Sequence, residues 1–381
     1  MNNIIIVGAG VFGLVLAERI ATVLKKKVTI IDKRSHIGGN CYSFIDKETG
    51  INCHAYGSHI FHTSNDEVYD YFSKFACFNN YIHRVLTSAK GVVYPMPIGL
   101  ETINKFYHKN LRPEECKLFI RRKIQKDHVE NVSNLEEQTI NLIGKDLYNT
   151  FIKGYTTKQW QREPKYLPSF IIKRLPFRFN YETSYFADKY QGIPICGYTD
   201  LFNKMICNNL IDLKLSTDFN KYKPNISSSD YIVYTGPIDE FYNYEFGKLQ
   251  WRSLDFKWER YDIQDYQGIA VMNEADIEVP YTRTHEFKHY HPENVKVFTS
   301  NKTIICREYS KECQNGDIPY YPIEDSINVD LYEKYKKLNK NNNLIFGGRL
   351  GLYKYFDMDK AIYAALNTFD LIKPRLKRDI D

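Results

Sequence analysis

The sequence lacks any apolar run that approaches the ~18 residues of a membrane-spanning helix, so we expect no membrane partner. It also lacks a C-x-x-C pair among its eight cysteines, which argues against the common zinc spacings. Neither sign of charge is in large excess, because 52 Lys and Arg oppose 46 Asp and Glu and leave a net charge of +6. A balance this mild gives no indication of a nucleic-acid partner. No charged leader or cleavage site precedes the first strand, so we expect a cytoplasmic protein with reduced thiols.

Aromatic residues, by contrast, are plentiful: 31 Tyr, 23 Phe and 3 Trp make up 15% of the chain. Rings that carry a hydroxyl group can stack on flat groups and hydrogen-bond to sugars. The chain is also rich in Asn, Ile and Lys, which is typical of an AT-rich genome. We therefore attribute most of the aromatic excess to composition.

The chain opens with the pattern of a dinucleotide-binding βαβ unit. Residues 4–7 predict a buried strand and residues 11–24 a helix. Residues 28–31 predict a second strand that ends at Asp32, where a carboxylate can accept hydrogen bonds from a ribose. The turn after the first strand reads Gly8-Ala9-Gly10-Val11-Phe12-Gly13, and its glycines allow backbone N–H groups to approach a pyrophosphate. The motif is specific because the strand, the glycines, the helix and the acidic residue all occur at the spacing that a dinucleotide-binding unit requires.

Two further glycine pairs favour FAD over NAD as the cofactor. The pair Gly38-Gly39 follows Asp32 by six residues, where the long FAD-binding signature continues along the flavin. Simple NAD domains usually enter another helix at that point. The late run Gly347-Gly348-Arg349 precedes a predicted helix, and such flavoproteins complete the FAD site with C-terminal residues. We therefore predict FAD.

The rest of the chain changes character twice. Residues 102–148 are strongly charged and have helical periodicity. From residue 181 onward, short β-rich runs at 232–234, 269–272 and 296–298 indicate an antiparallel sheet. The tail returns to a strand at 344–346 and a helix from about 358 to 371.

These patterns predict an α/β fold with α+β inserts: a Rossmann-like FAD-binding domain with an inserted helical bundle and an antiparallel β-sheet domain. The expected division assigns 1-80 plus about 201-240 and 325-381 to the FAD-binding domain, 96-165 to the helical domain, and about 166-200 and 241-324 to the sheet and substrate domain.

The spacing His59-x-x-His62 leaves three interpretations open. A metal site is the weakest, because no third ligand such as Cys or Glu lies nearby in the sequence. We favour a structural histidine for His62 and a polar contact to the flavin for His59. No metal is therefore expected.

Eight blocks stand in order across nearly the whole chain: residues 38–40, 56–63, 153–160, 170–176, 190–194, 279–283, 317–322 and 346–350. Together they resemble the UDP-galactopyranose mutase family of the bacterial type. Several long blocks in order are far more specific than any single motif.

The resemblance implies an enzyme that interconverts UDP-galactopyranose and UDP-galactofuranose, for cell-surface polysaccharide precursors, with no net redox change. It implies that N5 of reduced FAD attacks the anomeric carbon and displaces UDP. An external electron donor and a homodimer are also implied. The same chemistry on UDP-N-acetylgalactosamine or dTDP-fucose stays open, as do a flavin oxidoreductase and a non-catalytic nucleotide-binding protein.

The resemblance also assigns residue roles. Catalytic positions are Arg174, Arg283, His59 and Asp357, and the two arginines would clamp the diphosphate with their planar forks. Substrate-binding positions are Phe151, Tyr155, Thr156, Trp160, Arg174, Tyr185, Asn273, Arg283, Tyr320 and Tyr355. Cofactor-binding positions are Gly8, Gly10, Phe12, Gly13, Asp32, Lys33, Gly39, Asn40, His59, Ile60, Arg349 and Met358.

Three features concern the lid and the sugar. The resemblance makes residues 161–168 a mobile lid that carries Arg174 onto the substrate. Gln161 follows Trp160 where many members have glycine, which could alter lid flexibility. Ser58 stands beside His59 where Ala or Pro is common, so the exact sugar stays open.

Overall fold

The structure, a computed structural model, describes residues 3–174 and 177–378, and the side chains of Lys173, Arg174 and Arg378 lie outside the description. Within these ranges the strands are β1 (Ile4–Val7), β2 (Val28–Ile31), β3 (Ser43–Ile45), β4 (Asn52–His54), β5 (Phe61–Thr63), β6 (Val85–Ala89), β7 (Val92–Met96), β8 (Tyr190–Gly192), β9 (Ile211–Lys214), β10 (Tyr231–Tyr234), β11 (Trp251–Tyr261), β12 (Val271–Glu274), β13 (Arg283–Glu286), β14 (Thr303–Glu312), β15 (Tyr321–Pro322) and β16 (Leu344–Phe346).

The described helices are α1 (Val11–Leu24), α2 (Asp66–Phe72), α3 (Leu100–Phe106), α4 (Pro113–Asp127), α5 (Leu135–Ile143), α6 (Lys145–Leu147), α7 (Gly154–Trp160), α8 (Tyr198–Met205), α9 (Phe219–Tyr222), α10 (Ile238–Phe241), α11 (Val295–Phe298), α12 (Ser326–Leu338), α13 (Gly348–Gly351) and α14 (Met358–Arg378). A π-helical turn spans Tyr148–Lys153, and 3-10 segments span Gly39–Cys41, Pro164–Tyr166, Ser169–Arg174, Lys223–Asn225 and Phe287–Tyr290.

The first sheet is parallel throughout, with the strand order β16-β10-β1-β2-β9. β1 is buried at all its positions, as a parallel strand covered on both faces requires. α1 connects β1 to β2 and packs against α14 in the same hydrophobic core. The predicted strands 4–7 and 28–31 and the helix 11–24 are confirmed with these bounds. The glycine-rich turn therefore lies at the carboxyl edge of a parallel sheet.

The second sheet has the order β15-β11-β14-β13-β12-β6-β7. Its register sets six residues side by side, one from each of six neighbouring strands. They are Phe256, Glu308, Arg283, Asn273, Thr87 and Tyr94. Directly paired residues share one face of a sheet, and we call these six the transverse row. The register thereby places the guanidinium-bearing residue Arg283 between a carboxylate residue and an amide residue.

The expected antiparallel sheet is wrong in three respects. β12 pairs with β6 in parallel, so the sheet is mixed, and β6 and β7 join it from outside the expected ranges of about 166-200 and 241-324. Residues 232–234 belong to β10 of the parallel sheet. Residues 296–298 lie in the helix α11, where Asn294 accepts a hydrogen bond from the backbone N–H of Val297. This N-cap lets the segment start a helical turn in spite of its β-prone composition.

Helices α3 to α7 pack together beside the second sheet. They share a hydrophobic core with the strands, to which Leu100 of α3, Ile120 of α4 and Ile140 of α5 contribute. The π-helical turn Tyr148–Lys153 leads directly into α7, which contacts β14. The helices thus bring residues 151–160 against the face of the sheet that carries the transverse row.

Two expectations from composition can be compared with the described chain. The eight cysteines are all free thiols, as predicted. Among residues 3–174 and 177–378, no helix combines the length and the apolar character that a membrane span needs.

Candidate active site

A cavity of about 1950 Å³ lies between the carboxyl edge of the parallel sheet and the second sheet. Parallel α/β sheets bind ligands outside the carboxyl ends of their strands. The volume exceeds the ~300–1,000 Å³ of an ordinary small-ligand site. The cavity therefore has room for a dinucleotide and a second ligand together.

The glycines of the β1–α1 turn shape one end of this cavity. A side chain at Gly13 would place its Cβ 2.1 Å from the carbonyl oxygen of Gly8, so only glycine lets α1 start this close to β1. At Gly10 the nearest atom to such a Cβ is the Cα of Gly39, at 4.0 Å. Among the described residues no side chain caps the first turn of α1, which leaves its N–H groups open. This cradle suits a pyrophosphate.

Asp32 and Arg34 extend the same end of the cavity. The Asp32 carboxylate accepts hydrogen bonds from the backbone N–H groups of Ala9 at 2.7 Å and Arg34 at 2.8 Å. Its oxygens keep lone pairs for a ribose hydroxyl. Arg34 donates from NH2 to Asn40 Oδ1 at 2.9 Å, and its buried NH1 has no hydrogen-bond partner in the described part of the chain. A buried, unpartnered guanidinium nitrogen in a cavity wall requires an acceptor, which an anionic ligand supplies.

Arg349 follows the Gly347-Gly348 turn at the opposite edge of the cradle. Its guanidinium donates hydrogen bonds to the backbone carbonyl oxygens of Tyr320 and, at 3.1 Å, Pro319. These bonds tie α13 to the segment before β15. Arg349 therefore joins the dinucleotide end of the cavity to a loop that lines its other end.

His59 lies in the cavity wall, and one ring nitrogen and the backbone N–H of this residue are hydrogen-bonded within the chain. Its Nδ1 is 2.9 Å from the carbonyl oxygen of Gly57, and its backbone N–H donates to His54 Nδ1 at 3.1 Å. Burial lowers the pKa of His59 to about 4. The imidazole is therefore neutral at ordinary pH, with Nδ1–H donating to Gly57.

Arg283 is the central cation at the end of the cavity that lies against the second sheet. It forms an ion pair with Glu308, and its NH2 donates to the hydroxyl of Tyr155. The distance from Arg283 Nε to Glu308 Oε1 is 3.4 Å, but the Nε–H has no hydrogen-bond partner among the described residues. The Oδ1 of Asn273, beside it in the transverse row, is also buried without a partner. These two unpartnered groups define a polar site for a ligand.

Glu308 is a functional candidate that the sequence analysis missed. Burial alone would raise its pKa, but Arg283 and hydrogen bonds from His285 and Thr282 outweigh burial and lower the pKa to about 2. Glu308 is therefore an anion inside the protein. The signal in the sequence is a carboxylate at every-second-residue spacing from the apolar Ile304 and Cys306, which puts it on the same buried face of β14.

The cavity wall includes every sequence-predicted site residue whose side chain the structure describes; the side chain of Arg174 lies outside that description. For the substrate these are Phe151, Tyr155, Thr156, Trp160, Tyr185, Asn273, Arg283, Tyr320, Tyr355 and Asp357. For the cofactor they are Gly8, Gly10, Phe12, Gly13, Asp32, Lys33, Gly39, Asn40, His59, Ile60, Arg349 and Met358. The fold thus brings together residues spread over 350 positions of sequence. Their individual roles stay predictions.

The aromatic residues of the wall differ in surroundings. Phe151 is largely a core residue, with its ring centroid 4.9 Å from that of Tyr94 and 5.5 Å from that of Phe106. Tyr155 lies under Arg283, whose guanidinium carbon is 5.8 Å from its ring centroid. Tyr355 stacks on Tyr321, with centroids 5.9 Å apart. Tyr155 therefore lies beside the central cation of the site.

The predicted lid begins at a strained residue. Gln161 ends α7 with φ of 50°, a left-handed conformation that glycine adopts at less cost. Its side chain donates to the carbonyl oxygen of Ser310 at 2.9 Å, which ties the start of the lid to β14. The backbone of Arg174 ends the 3-10 segment Ser169–Arg174, and its side chain lies outside the described atoms.

His62 has the surroundings of a structural histidine. Its Nδ1 is 2.7 Å from Asp188 Oδ2, and its ring stacks on Phe186 with centroids 3.6 Å apart. Among the described residues, the group of three side chains able to hold a metal is Asp265, Glu286 and His289. That group contains neither His59 nor His62.

The fold and the cavity define a dinucleotide-binding enzyme with a second, anion-binding end. Residues 6–75 match a model of NAD(P)-binding Rossmann-like domains, and residues 150–355 match the model of UDP-galactopyranose mutase. A relative from Klebsiella pneumoniae named probable UDP-galactopyranose mutase is 44% identical over 374 residues, covering 97% of this chain and 94% of the relative. The chain belongs to the UDP-galactopyranose mutase family.

Two further proteins bear on the family. A dTDP-fucopyranose mutase from Escherichia coli is 41% identical over 377 residues, covering 97% of this chain and 98% of its own length. A crystal structure of reduced UDP-galactopyranose mutase superimposes with a TM-score of 0.76 at 16% identity, over 98% of this chain and 94% of that one. At that identity the likeness shows the fold, and the predicted α/β class is confirmed.

The chain is therefore a mutase, an enzyme of the isomerase class. Family membership and the dinucleotide-binding domain support FAD as the cofactor, as the sequence predicted. The residues fit this group, because the open N–H cradle, the oriented Asp32 carboxylate and the unpartnered Arg34 nitrogen line one continuous cavity.

Substituting Gly10 with alanine tests the cradle. Its φ of −81° and ψ of 178° suit alanine, and the nearest neighbour of the new Cβ lies at 4.0 Å, so Gly10→Ala folds. The methyl group occupies the space in front of the N–H groups, and we expect FAD to bind at least ~10-fold more weakly, the loss of about one charge-assisted hydrogen bond. Flavin absorbance per protein and a reconstitution titration measure this. Gly91→Ala is the control, since no described atom outside its own turn lies within 4 Å of the new Cβ; its φ of +74° strains alanine, so thermal unfolding reports the loss of stability separately. Equal loss of FAD affinity in both variants contradicts the cradle.

Buried histidines predict acid sensitivity. The unfolded chain takes up protons on its imidazoles below their usual pKa of 6.5, whereas burial lowers the pKa of His59 to about 4 and that of His83 to about 3. The unfolded state binds more protons in this window, so the free energy of unfolding decreases as the pH falls from 6.5 to 4, by up to ~1.4 kcal/mol per pH unit for each histidine. Urea unfolding of the holoenzyme at several pH values measures the slope. His83→Phe reduces it and the exposed His128→Gln does not; identical slopes in all three proteins contradict the prediction.

Proposed function

We propose that this enzyme interconverts UDP-galactopyranose and UDP-galactofuranose with no net redox change. The observation that carries the proposal is Arg283, an ion-paired guanidinium in the same cavity as the FAD cradle, whose Nε–H has no hydrogen-bond partner among the described residues. A planar guanidinium can bind two diphosphate oxygens at once. The 44% identical relative, named probable UDP-galactopyranose mutase, supports the choice of nucleotide sugar.

The chain's own residues bind and orient the substrate. Arg283, with Arg174 by resemblance, holds the diphosphate, and Asn273 offers its free Oδ1 to a hydroxyl donor. Tyr155 presents its ring for the uracil, with Phe151 and Thr156 beside it. Trp160 closes the sugar pocket on the lid side, and Tyr185, Tyr320 and Tyr355 bind phosphate or nucleoside.

The bound FAD in its reduced form supplies the nucleophile, N5, for the anomeric carbon. His59, neutral and held by Gly57, and Asp357, just before α14, complete the wall of the reaction site. The electron donor is external. A cytoplasmic homodimer that makes polysaccharide precursors stays a prediction from the sequence.

A second candidate is the same ring contraction on a dTDP-sugar. The 41% identical relative is named dTDP-fucopyranose mutase and is covered almost end to end. The diphosphate is common to both nucleotide sugars, so Arg283 does not separate them. UDP-N-acetylgalactosamine is a further sugar of the same class.

The deciding experiment is a comparison of sugars on one enzyme preparation. The holoenzyme is incubated, with and without dithionite, with the pyranose or furanose form of UDP-galactose and, separately, of dTDP-fucose. Chromatography measures the ratio of pyranose to furanose in each mixture. We expect conversion of the UDP-galactose pair only when the flavin is reduced, with a higher kcat/KM than for the dTDP-fucose pair. A higher value for dTDP-fucose favours the second candidate. Stoichiometric bleaching of the flavin by substrate alone would instead indicate an oxidoreductase.

Removal of the central cation tests the diphosphate site. We expect Arg283→Ala to lose more than ~100-fold in kcat/KM, because a preorganised charge contact is removed. Arg283→Lys keeps the charge without the planar fork, so its kcat/KM should lie between those of Arg283→Ala and the natural enzyme. Steady-state kinetics with reduced enzyme measure both variants.

Arg307 provides the matched control. It precedes Glu308 in β14, faces the other side of the sheet and pairs with Glu259. Arg307→Ala removes the same side chain from the same sheet, and its kcat/KM should stay within ~3-fold of that of the natural enzyme, because Arg307 is not among the described residues that line the cavity. Near-normal turnover by Arg283→Ala excludes the role proposed for this residue.

A further inference from the structure

A chain of hydrogen bonds leads away from Glu308 into the protein. His285 Nε2 is 3.2 Å from Glu308 Oε2, and His285 Nδ1 is 2.6 Å from the hydroxyl of Ser58. The hydroxyl of Tyr290 in turn donates to Ser58. We call Tyr290, Ser58 and His285 the relay. It joins the turn before His59 to the transverse row, across more than 200 positions of sequence.

The charge of Glu308 fixes the direction of every bond in the relay. An ionised carboxylate only accepts hydrogen bonds, so His285 Nε2 must carry the proton that points at it. Burial lowers the pKa of His285, so its imidazole is neutral and keeps a lone pair on Nδ1, to which the Ser58 hydroxyl must donate. The Ser58 oxygen is free to accept from Tyr290. One tautomer of His285 satisfies all the groups.

We propose that Ser58 and His285 are positioning residues for substrate binding: the Ser58 hydroxyl holds His285 in the Nε2–H tautomer, which fixes the Glu308 carboxylate and through it the Arg283 fork. This inference rests on the proposed function in one respect, that Arg283 binds a nucleoside diphosphate. It does not depend on which sugar the diphosphate carries.

Burial makes the tautomer consequential. His285 has an exposed fraction of 0%, and its ring stacks on Phe287 with centroids 5.7 Å apart, so the imidazole is held in place. The other tautomer would set the Nε2 lone pair against the Glu308 carboxylate. The turn containing Ser58 lies close to that carboxylate, because a Cβ on Gly57 would be 3.4 Å from Glu308 Oε2. On the side of this turn, Glu308 Oε2 therefore has His285 Nε2–H as its hydrogen-bond donor.

The relay connects the Ser58 hydroxyl to the Arg283 guanidinium through the two oxygens of Glu308. Glu308 Oε2 faces His285 and Oε1 faces Arg283 Nε at 3.4 Å and the Thr282 hydroxyl at 3.2 Å. Loss of the donor on Oε2 lets the carboxylate rotate, and Arg283 follows the charge. Nucleotide affinity is then lost although no residue that contacts nucleotide has changed.

The test measures UDP and dTDP binding to the oxidised holoenzyme by calorimetry, with kcat and KM on the reduced enzyme as the second readout. We expect Ser58→Ala to weaken nucleotide binding about 5- to 10-fold and to raise KM more than it lowers kcat, the effect of one lost hydrogen bond on a charged partner. Ser58→Thr restores the hydroxyl and should bind within about 2-fold of the natural enzyme. Tyr290→Phe leaves the Ser58 donor in place and should lose less than Ser58→Ala. Thermal unfolding confirms that each variant is folded.

A double-mutant cycle isolates the tautomer. His285→Gln offers an amide N–H to Glu308 that needs no serine to orient it, so Ser58→Ala should cost little in that background. An equal loss in both backgrounds, failure of Ser58→Thr to restore binding, or unchanged binding by Ser58→Ala overturns the inference. Absence of any UDP or dTDP binding by the natural enzyme overturns it too. Binding without conversion of UDP-galactose refutes the proposed function alone and leaves the relay supported by the affinities.

Discussion

The ion pair between the half-buried Arg283 and the buried Glu308 constrains everything around it. Removing a charge from water is costly, and the attraction between two buried charges offsets that cost only when further hydrogen bonds complete the geometry. Here those bonds come from Thr282, which directly precedes β13, and from His285, two residues after Arg283 on that strand. Breaking such a pair leaves an uncompensated charge, which costs about 3–5 kcal/mol in proteins. The second sheet must therefore keep β13 and β14 in one register, because a slip by a single residue would send the two side chains to opposite faces.

The two ends of the cavity are built by different means. At the dinucleotide end, glycines and open backbone N–H groups form the cradle, so the requirement is the absence of side chains at Gly10 and Gly13. At the other end, side chains from four strands of the second sheet supply charge and polarity, so the requirement is their register. Arg349 bridges the two ends through the carbonyl oxygens of Pro319 and Tyr320. Ordering of the segment before β15 is thereby coupled to ordering of α13 beside the FAD cradle.

This difference explains which parts of the site the sequence could predict. The cradle is local: strand, glycines, helix and Asp32 lie within about 30 residues, and each element has its own periodicity. The positions of Arg283 and Asn273 were available through the resemblance of ordered blocks. Glu308, His285 and Ser58 were not assigned roles, because their contacts join segments far apart in the chain and no local pattern encodes a tautomer. The helix at 296–298 was missed because a single Asn294 cap decides a four-residue segment.

The aromatic excess illustrates the same limit. Tyr148, Tyr198, Tyr290 and Tyr335 are among the largest fully buried side chains, so much of the tyrosine content builds the core. Composition cannot separate these rings from those of the cavity wall, such as Tyr155 and Tyr355.

The choice between UDP-galactose and dTDP-fucose follows from where the two substrates differ. They share the diphosphate, so a diphosphate site built on the ion pair and the relay would accept both and would not discriminate between them. They differ at C6 of the sugar, where one has a hydroxyl and the other a methyl, and in the thymine methyl and the ribose 2′-hydroxyl of the nucleoside. A site that hydrogen-bonds a hydroxyl strongly rejects an analogue without it, because its own polar group is left unpaired, whereas an apolar pocket discriminates a methyl only weakly. Specificity for UDP-galactose therefore requires a polar group aimed at C6 or at the 2′-hydroxyl. The buried Oδ1 of Asn273, which has no hydrogen-bond partner among the described residues, is an acceptor of the kind that such discrimination needs.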